Sequence, residues 1–187
     1  MKTEQQYFEE SMSMADYMEQ MTTNLKEPSF EVYNNFNVNP EDEVFQLLKE
    51  KKPHILAITE DWCGDAMLNN AVIRKIAEEA DLDIRCAFRD ADTDLIDRYL
   101  TNGGRAIPIY LFLNQEGNVI GKWGPRAPEL QQMVMEMRAK LPDKEDPQFD
   151  EQQKEMYTTI QKRFVDEPQC ANWVYEDMKS VITKALS

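Results

Sequence analysis

The sequence predicts an α/β fold in three layers, a central mixed sheet flanked by helices, with helical extensions at both ends. Three observations predict it. Between residues 40 and 141, short apolar or alternating runs suited to strands are interleaved with longer stretches of helical period. The last two of those runs are joined by a turn containing Gly117, which makes them an antiparallel hairpin. Outside that window only helical periodicity is found.

Taken in order, residues 4 to 24 place Tyr7, Phe8, Met12, Met14, Tyr17, Met18 and Met21 at spacings suited to an amphipathic helix or a broken pair of helices. The methionines read as core filler rather than as a partner surface. Lys26-Glu27-Pro28 is expected to end that helix and lead into a polar and aromatic loop. Asn39-Pro40 reads as an N-cap followed by a first-turn proline, with Glu41 to Glu43 at the positive end of the helix. His54 to Thr59 reads as a buried strand, Glu60 to Gly64 as a turn and Ala66 to Ala80 as a helix. Leu82 to Phe88 alternates as a strand, and Asp92 to Leu100 reads as a helix ended by Asn102-Gly103-Gly104. Ile109 to Asn114 and Val119 to Trp123 are the hairpin strands, with Tyr110 and Phe112 in the core. A helix follows at Pro128 to Leu141. Residues 142 to 150 form a charged linker with two prolines, and two helices are expected near 151–165 and 171–186. The organisation is thus an N-terminal extension at 1–39, a central domain at 40–141 and a C-terminal helical extension at 142–187 packed on it.

Composition excludes several classes. The formal net charge of −14 leaves no basic cluster to neutralise phosphates, so neither nucleic acid nor an anionic membrane surface is an expected partner. A chain of 187 residues buries roughly 70% of its unfolded surface and needs no disulfide or metal to hold together. Three widely spaced cysteines suit a reducing compartment, and the polar, acidic N-terminus lacks the apolar core of a signal peptide. A cytoplasmic location is expected.

Chemistry concentrates in two stretches. In Ile58 to Ala66, Cys63 falls where a strand ends and a helix begins, beside free backbone N–H groups and the positive end of the helix dipole. Both favour the thiolate. In Gly103 to Tyr110, Pro108 opens a buried strand, and a cis Ile107–Pro108 bond there sets the Ile107 backbone beside the sulfur. An extended peptide can pair at such an edge.

These residues resemble the thioredoxin superfamily over about 40–141. Trp62-Cys63-Gly64 matches the first half of its Trp-Cys-Gly-Pro-Cys motif, and Pro108 matches its cis-proline loop. The chain is most similar to a bacterial thioredoxin-like branch with Trp-Cys-Gly-Asp-Ala, here Trp62 to Ala66. That branch continues with Gly-Gly-Arg-Ser-Ile-Pro, here Gly103 to Pro108 with Ala106 for Ser, and with Trp-Gly-Pro-Arg, here Trp123 to Arg126. The resemblance implies a thioredoxin-like fold without a cofactor. It does not carry over dithiol reductase activity, because Ala66 stands where the resolving cysteine belongs and Asp65 where the proline belongs.

Glu60, Asp61 and Asp65 push the Cys63 thiol toward its neutral form, and Arg105 is the residue expected to offset them. Cys86 reads as a core residue, and Cys170 is the candidate resolving thiol. His54, the only histidine, has no partners at ligand spacing, so no metal is expected. Trp62 and Trp123 read as packing residues, Trp62 also as a wall of a groove, and Arg126 as a solvated side chain. Two functions remain open. One is a monothiol redox protein in which Cys63 forms mixed disulfides with a protein or a low-molecular-weight thiol, aligned by Ile107 and Pro108. The other is a catalytically inactive binding module that keeps the groove beside Pro108. Pairing of the extensions in a homodimer accords with either.

Overall fold

The computed structural model describes residues 1–187. It contains nine helices and one five-stranded sheet. In chain order these are α1 (Glu4–Glu10), β1 (Met12–Ser13), α2 (Met14–Glu19), α3 (Lys26–Asn35), α4 (Glu43–Lys51), β2 (His54–Thr59), α5 (Gly64–Ala80), β3 (Ile84–Phe88), α6 (Thr93–Ile96), β4 (Ile109–Leu113), β5 (Val119–Trp123), α7 (Pro128–Arg138), α8 (Phe149–Asp166) and α9 (Pro168–Leu186). The strands lie in the order β1-β3-β2-β4-β5. Only β2 and β3 run parallel, and every other neighbouring pair is antiparallel.

The pleat sorts side chains to two cores, as period-two alternation requires. Ile55 and Ala57 of β2 join Tyr110 and Phe112 of β4 in a cluster of 38 buried residues beneath the long helices. Leu56 and Ile58, with Ile109, Leu111 and Leu113, belong to a cluster of 10 completed by Tyr7 and Phe8 of α1, Leu95 and Ile96 of α6, and Ile107 just before β4. Met14, Met18 and Met21 are buried, as filler should be.

Several boundaries differ from expectation for local reasons. The N-terminal pair of helices is broken by β1, which adds an antiparallel edge strand to β3. Lys26-Glu27-Pro28 starts a helix instead of ending one. Pro28 falls in the first turn of α3, where the missing N–H has no intrahelical partner to lose. Asn39-Pro40 does not open α4. The Asn39 side chain accepts the Glu41 N–H in a local turn, and the helix waits for Asp42 as its N-cap. Regular helix in α6 is limited to Thr93–Ile96, and α7 ends at Arg138. At the C-terminus, Pro168 opens α9 at once, so that α8 and α9 meet at Glu167. Val174, Met178 and Ile182 of α9 lie fully inside the large core. No helix is long and apolar enough to cross a membrane.

Candidate functional site

Parallel pairing brings the C-terminal ends of β2 and β3 together, and the loop into β4 returns to the same end. Cys63 is the N-cap of α5, with extended backbone (φ −85°, ψ 121°). Its sulfur lies 3.6 Å from the Ile107 carbonyl oxygen, toward which the thiol donates. The Ile107–Pro108 peptide bond is cis. The Ile107 N–H has no acceptor within the protein, although the Ile107 side chain itself is buried in the smaller core.

Burial and the Asp65 carboxylate push the Cys63 thiol up to about 11, against the pull of the Ala66 and Asp65 backbone N–H groups and of Arg126. The thiol is therefore neutral at physiological pH. The three carboxylates expected to act on it do not act together. Asp61 accepts hydrogen bonds from the backbone and hydroxyl of Thr22, at 3.0 and 3.2 Å. Glu60 accepts the Asp90 N–H at 3.0 Å. Asp65 alone faces the sulfur.

Arg105 does not offset it. Its guanidinium forms a two-pronged pair with Asp97 at 2.7 and 3.0 Å, out in solvent. The compensating cation is Arg126, which is not a solvated side chain. It grips both oxygens of Asp65 at 2.9 Å, with 17% and 15% of the two side chains exposed. Gln131 takes a further N–H of Arg126. Even so, burial outweighs Arg126 and the more distant Arg138, and the Asp65 carboxyl is raised from its ordinary value.

Trp62 is half exposed rather than packed. The Arg89 guanidinium lies 5.0 Å from its ring centroid and also donates to the Arg105 carbonyl at 3.0 Å. Arg89 thus ties the Trp62 loop to the Arg105 loop. Trp123, by contrast, is buried, with its indole N–H on Asp177 of α9. Ala66 is buried at the start of α5.

All three cysteines are free. Cys86 is buried mid-strand with its sulfur 3.4 Å from that of Met14. Cys170 is buried in the first turn of α9, its thiol pushed up to about 11 by burial, and it does not line the space around Cys63. His54 stacks on Phe8 at the far end of β2. No group of three or more His, Cys, Asp or Glu residues is arranged to hold a metal ion. Beneath the site, Tyr110 donates to Asn70, and Asn70 donates to Thr59, a buried polar chain that fixes the start of α5 against the sheet.

The C-terminal extension covers the motif. A methyl group on Gly64 would stand 3.1 Å from the Gln161 side chain, so α8 lies directly on the first turn of α5. Between them, beside Cys63, is a cavity of about 400 Å³ that Tyr157 and Gln161 of α8 and Arg138 of α7 help to line. A larger hollow of about 730 Å³, between α3 and the meeting of α8 and α9, is lined by apolar, amide and acidic side chains, without a cation or a thiol.

Sequence reasoning missed Arg89, Arg138, Tyr157 and Gln161. Arg89 was within reach, because the residue after a strand parallel to β2 must emerge beside the motif. The α8 residues carry no local signal. Only the docking of the extension brings them there.

A family model described as thioredoxin matches residues 11–140. Two solved structures share the fold over almost their whole length. A protein of unknown function from Pseudomonas aeruginosa is 15% identical, with a TM-score of 0.68 and 99% of each chain covered. An HIV epitope scaffold is 16% identical, with a TM-score of 0.67, 98% of this chain and 99% of the other covered. Among curated proteins nothing matches.

Proposed function

The chain belongs to the thioredoxin family, and from that premise we propose that it acts as a binding module. The groove beside Ile107 and Pro108 holds an extended peptide, while Cys63 stays a neutral thiol. The observation that carries this reading is the setting of Cys63. Its sulfur is turned to the Ile107 carbonyl, its thiol is pushed up to about 11 by burial and Asp65, and Cys86 and Cys170 are both free and buried rather than paired with it. The unpaired Ile107 N–H supplies the donor that an added strand needs. The test is selection of peptides on the wild-type protein from a random library. Selected peptides are expected to bind Cys63→Ser within about twofold of wild type. Retention that needs Cys63 and is released by a reductant contradicts the reading, as does failure of any peptide to enrich.

One observation favours the monothiol reading instead. Cys63 is partly exposed at the N-terminus of a long helix, where the Asp65 and Ala66 N–H groups favour a thiolate. In that reading the thiolate attacks a disulfide of a protein or a low-molecular-weight thiol, and an external thiol completes the cycle.

A further inference from the structure

The 400 Å³ cavity beside Cys63, whose lining includes neither Ile107 nor Pro108, is within the size range of small-ligand sites. Its floor is the motif, and its walls are α7 and α8. The α8 wall lies beyond the residues matched by the family model, so the C-terminal extension completes the site.

The charges in the cavity do not cancel. Asp65 and Arg126 neutralise each other through their two-pronged contact. Arg138, exposed at the end of α7 on the rim of the cavity, forms no ion pair and no side-chain hydrogen bond, yet it is near enough to draw the Asp65 carboxyl down. One positive charge is therefore left over, in a protein whose net charge is −14. Trp62 and Tyr157 supply exposed aromatic surface at the same place, 51% and 41% open. An excess of one positive charge suits a single carboxylate, which a guanidinium fork can hold by two hydrogen bonds. A phosphate dianion would leave a surplus negative charge beside Asp65.

We propose that this cavity binds a small molecule bearing one carboxylate, with the carboxylate on Arg138 and the apolar part against Trp62 and Tyr157. This goes beyond the peptide-binding reading and does not depend on it, because neither Ile107 nor Pro108 lines the cavity.

Cys63 itself provides the reporter. The protein is equilibrated with the symmetric disulfide of 3-mercaptopropionate, in the presence of the free thiol, and separately with that of the neutral analogue 3-mercaptopropionamide. In each exchange the Cys63 thiolate attacks one sulfur of the added disulfide. That S–S bond breaks, a bond from Cys63 to one half forms, and the other half leaves as a thiolate and takes up a proton. Intact mass reads the adduct at equilibrium, so a slow approach does not alter the result, and Cys63→Ser identifies the site. The carboxylate adduct is expected to be favoured at least about fivefold over the amide. Arg138→Gln is expected to bring the ratio close to one, and the distant Lys75→Gln to leave it unchanged. A wild-type ratio of one, or a preference that survives Arg138→Gln, overturns the proposal. Absence of either adduct overturns it too, since the cavity would then not admit a three-carbon chain. None of these outcomes bears on whether peptides bind the groove.

Discussion

The two loops that flank Cys63 each carry an arginine, and the two end in opposite circumstances. Arg105, in the loop before β4, reaches out to Asp97, and about half of each side chain is in water. Arg126, in the loop after β5, turns inward to Asp65, where five-sixths of each side chain is covered. The distances are nearly equal, so distance does not distinguish them. Burial does. An exposed pair is screened by solvent, whereas a covered pair is held by the cost of leaving either charge alone.

That contrast is open to breakage, and the largest effect is expected at Arg126. Arg126→Ala leaves the Asp65 carboxylate covered and unpaired and should lower stability by about 3 kcal/mol in urea titration near pH 7. The pH dependence has a definite sign. Only Arg138 then opposes burial at Asp65, whose folded value rises further above the unfolded one, so the carboxyl's favourable contribution is present in acid and lost as pH rises. The variant should be less impaired at pH 4 than at pH 8, and equal loss at both would argue against a buried Asp65.

Next in size is the seat of the extension. A methyl group at Gly121 of β5 would stand 2.5 Å from Cβ of Ala185 in α9. Gly121→Ala should therefore cost about 1–3 kcal/mol by overpacking. An unchanged urea midpoint would mean that α9 is not seated on the sheet.

Asp65→Asn sharpens the comparison on the chemical side. It removes the carboxylate that, with burial, holds the thiol neutral, and frees Arg126 to favour the thiolate. Alkylation of Cys63 at pH 8 should accelerate by about tenfold, the equivalent of one pKa unit. Arg105→Ala should do least, leaving both the urea midpoint and the alkylation profile of Cys63 where they are.

Much of the framework was legible in the sequence, and the reasons are local. The run His54 to Thr59 and the alternation of Tyr110 and Phe112 with Leu111 and Leu113 declare buried strands, and Gly117 with its positive φ of 83° marks the hairpin. Cys63 was placed correctly at a helix start, because a strand-to-helix joint is written in a few neighbouring residues. What was not legible depends on long-range approach. The partner of Asp65 is 61 residues away, and nothing near Arg126 in the chain distinguishes a covered guanidinium from a solvated one. For the same reason Trp62 was expected to pack, although it stands half in solvent under Arg89. β1 escaped notice because two residues, Met12 and Ser13, show no period. The helical start at Lys26 was hidden behind Pro28, a breaker in mid-helix but harmless in a first turn.

The central claim is that Cys63 rests as a neutral thiol. Its most direct test is the rate of alkylation of Cys63 by iodoacetamide between pH 6 and 10.5, read by peptide mass so that Cys86 and Cys170 do not contribute. The rate is expected to climb through the whole range without a plateau, as a thiol held near 11 requires. A plateau with a midpoint at or below ~8.5, the value of an unperturbed cysteine, would contradict the account and return Cys63 to the role of nucleophile.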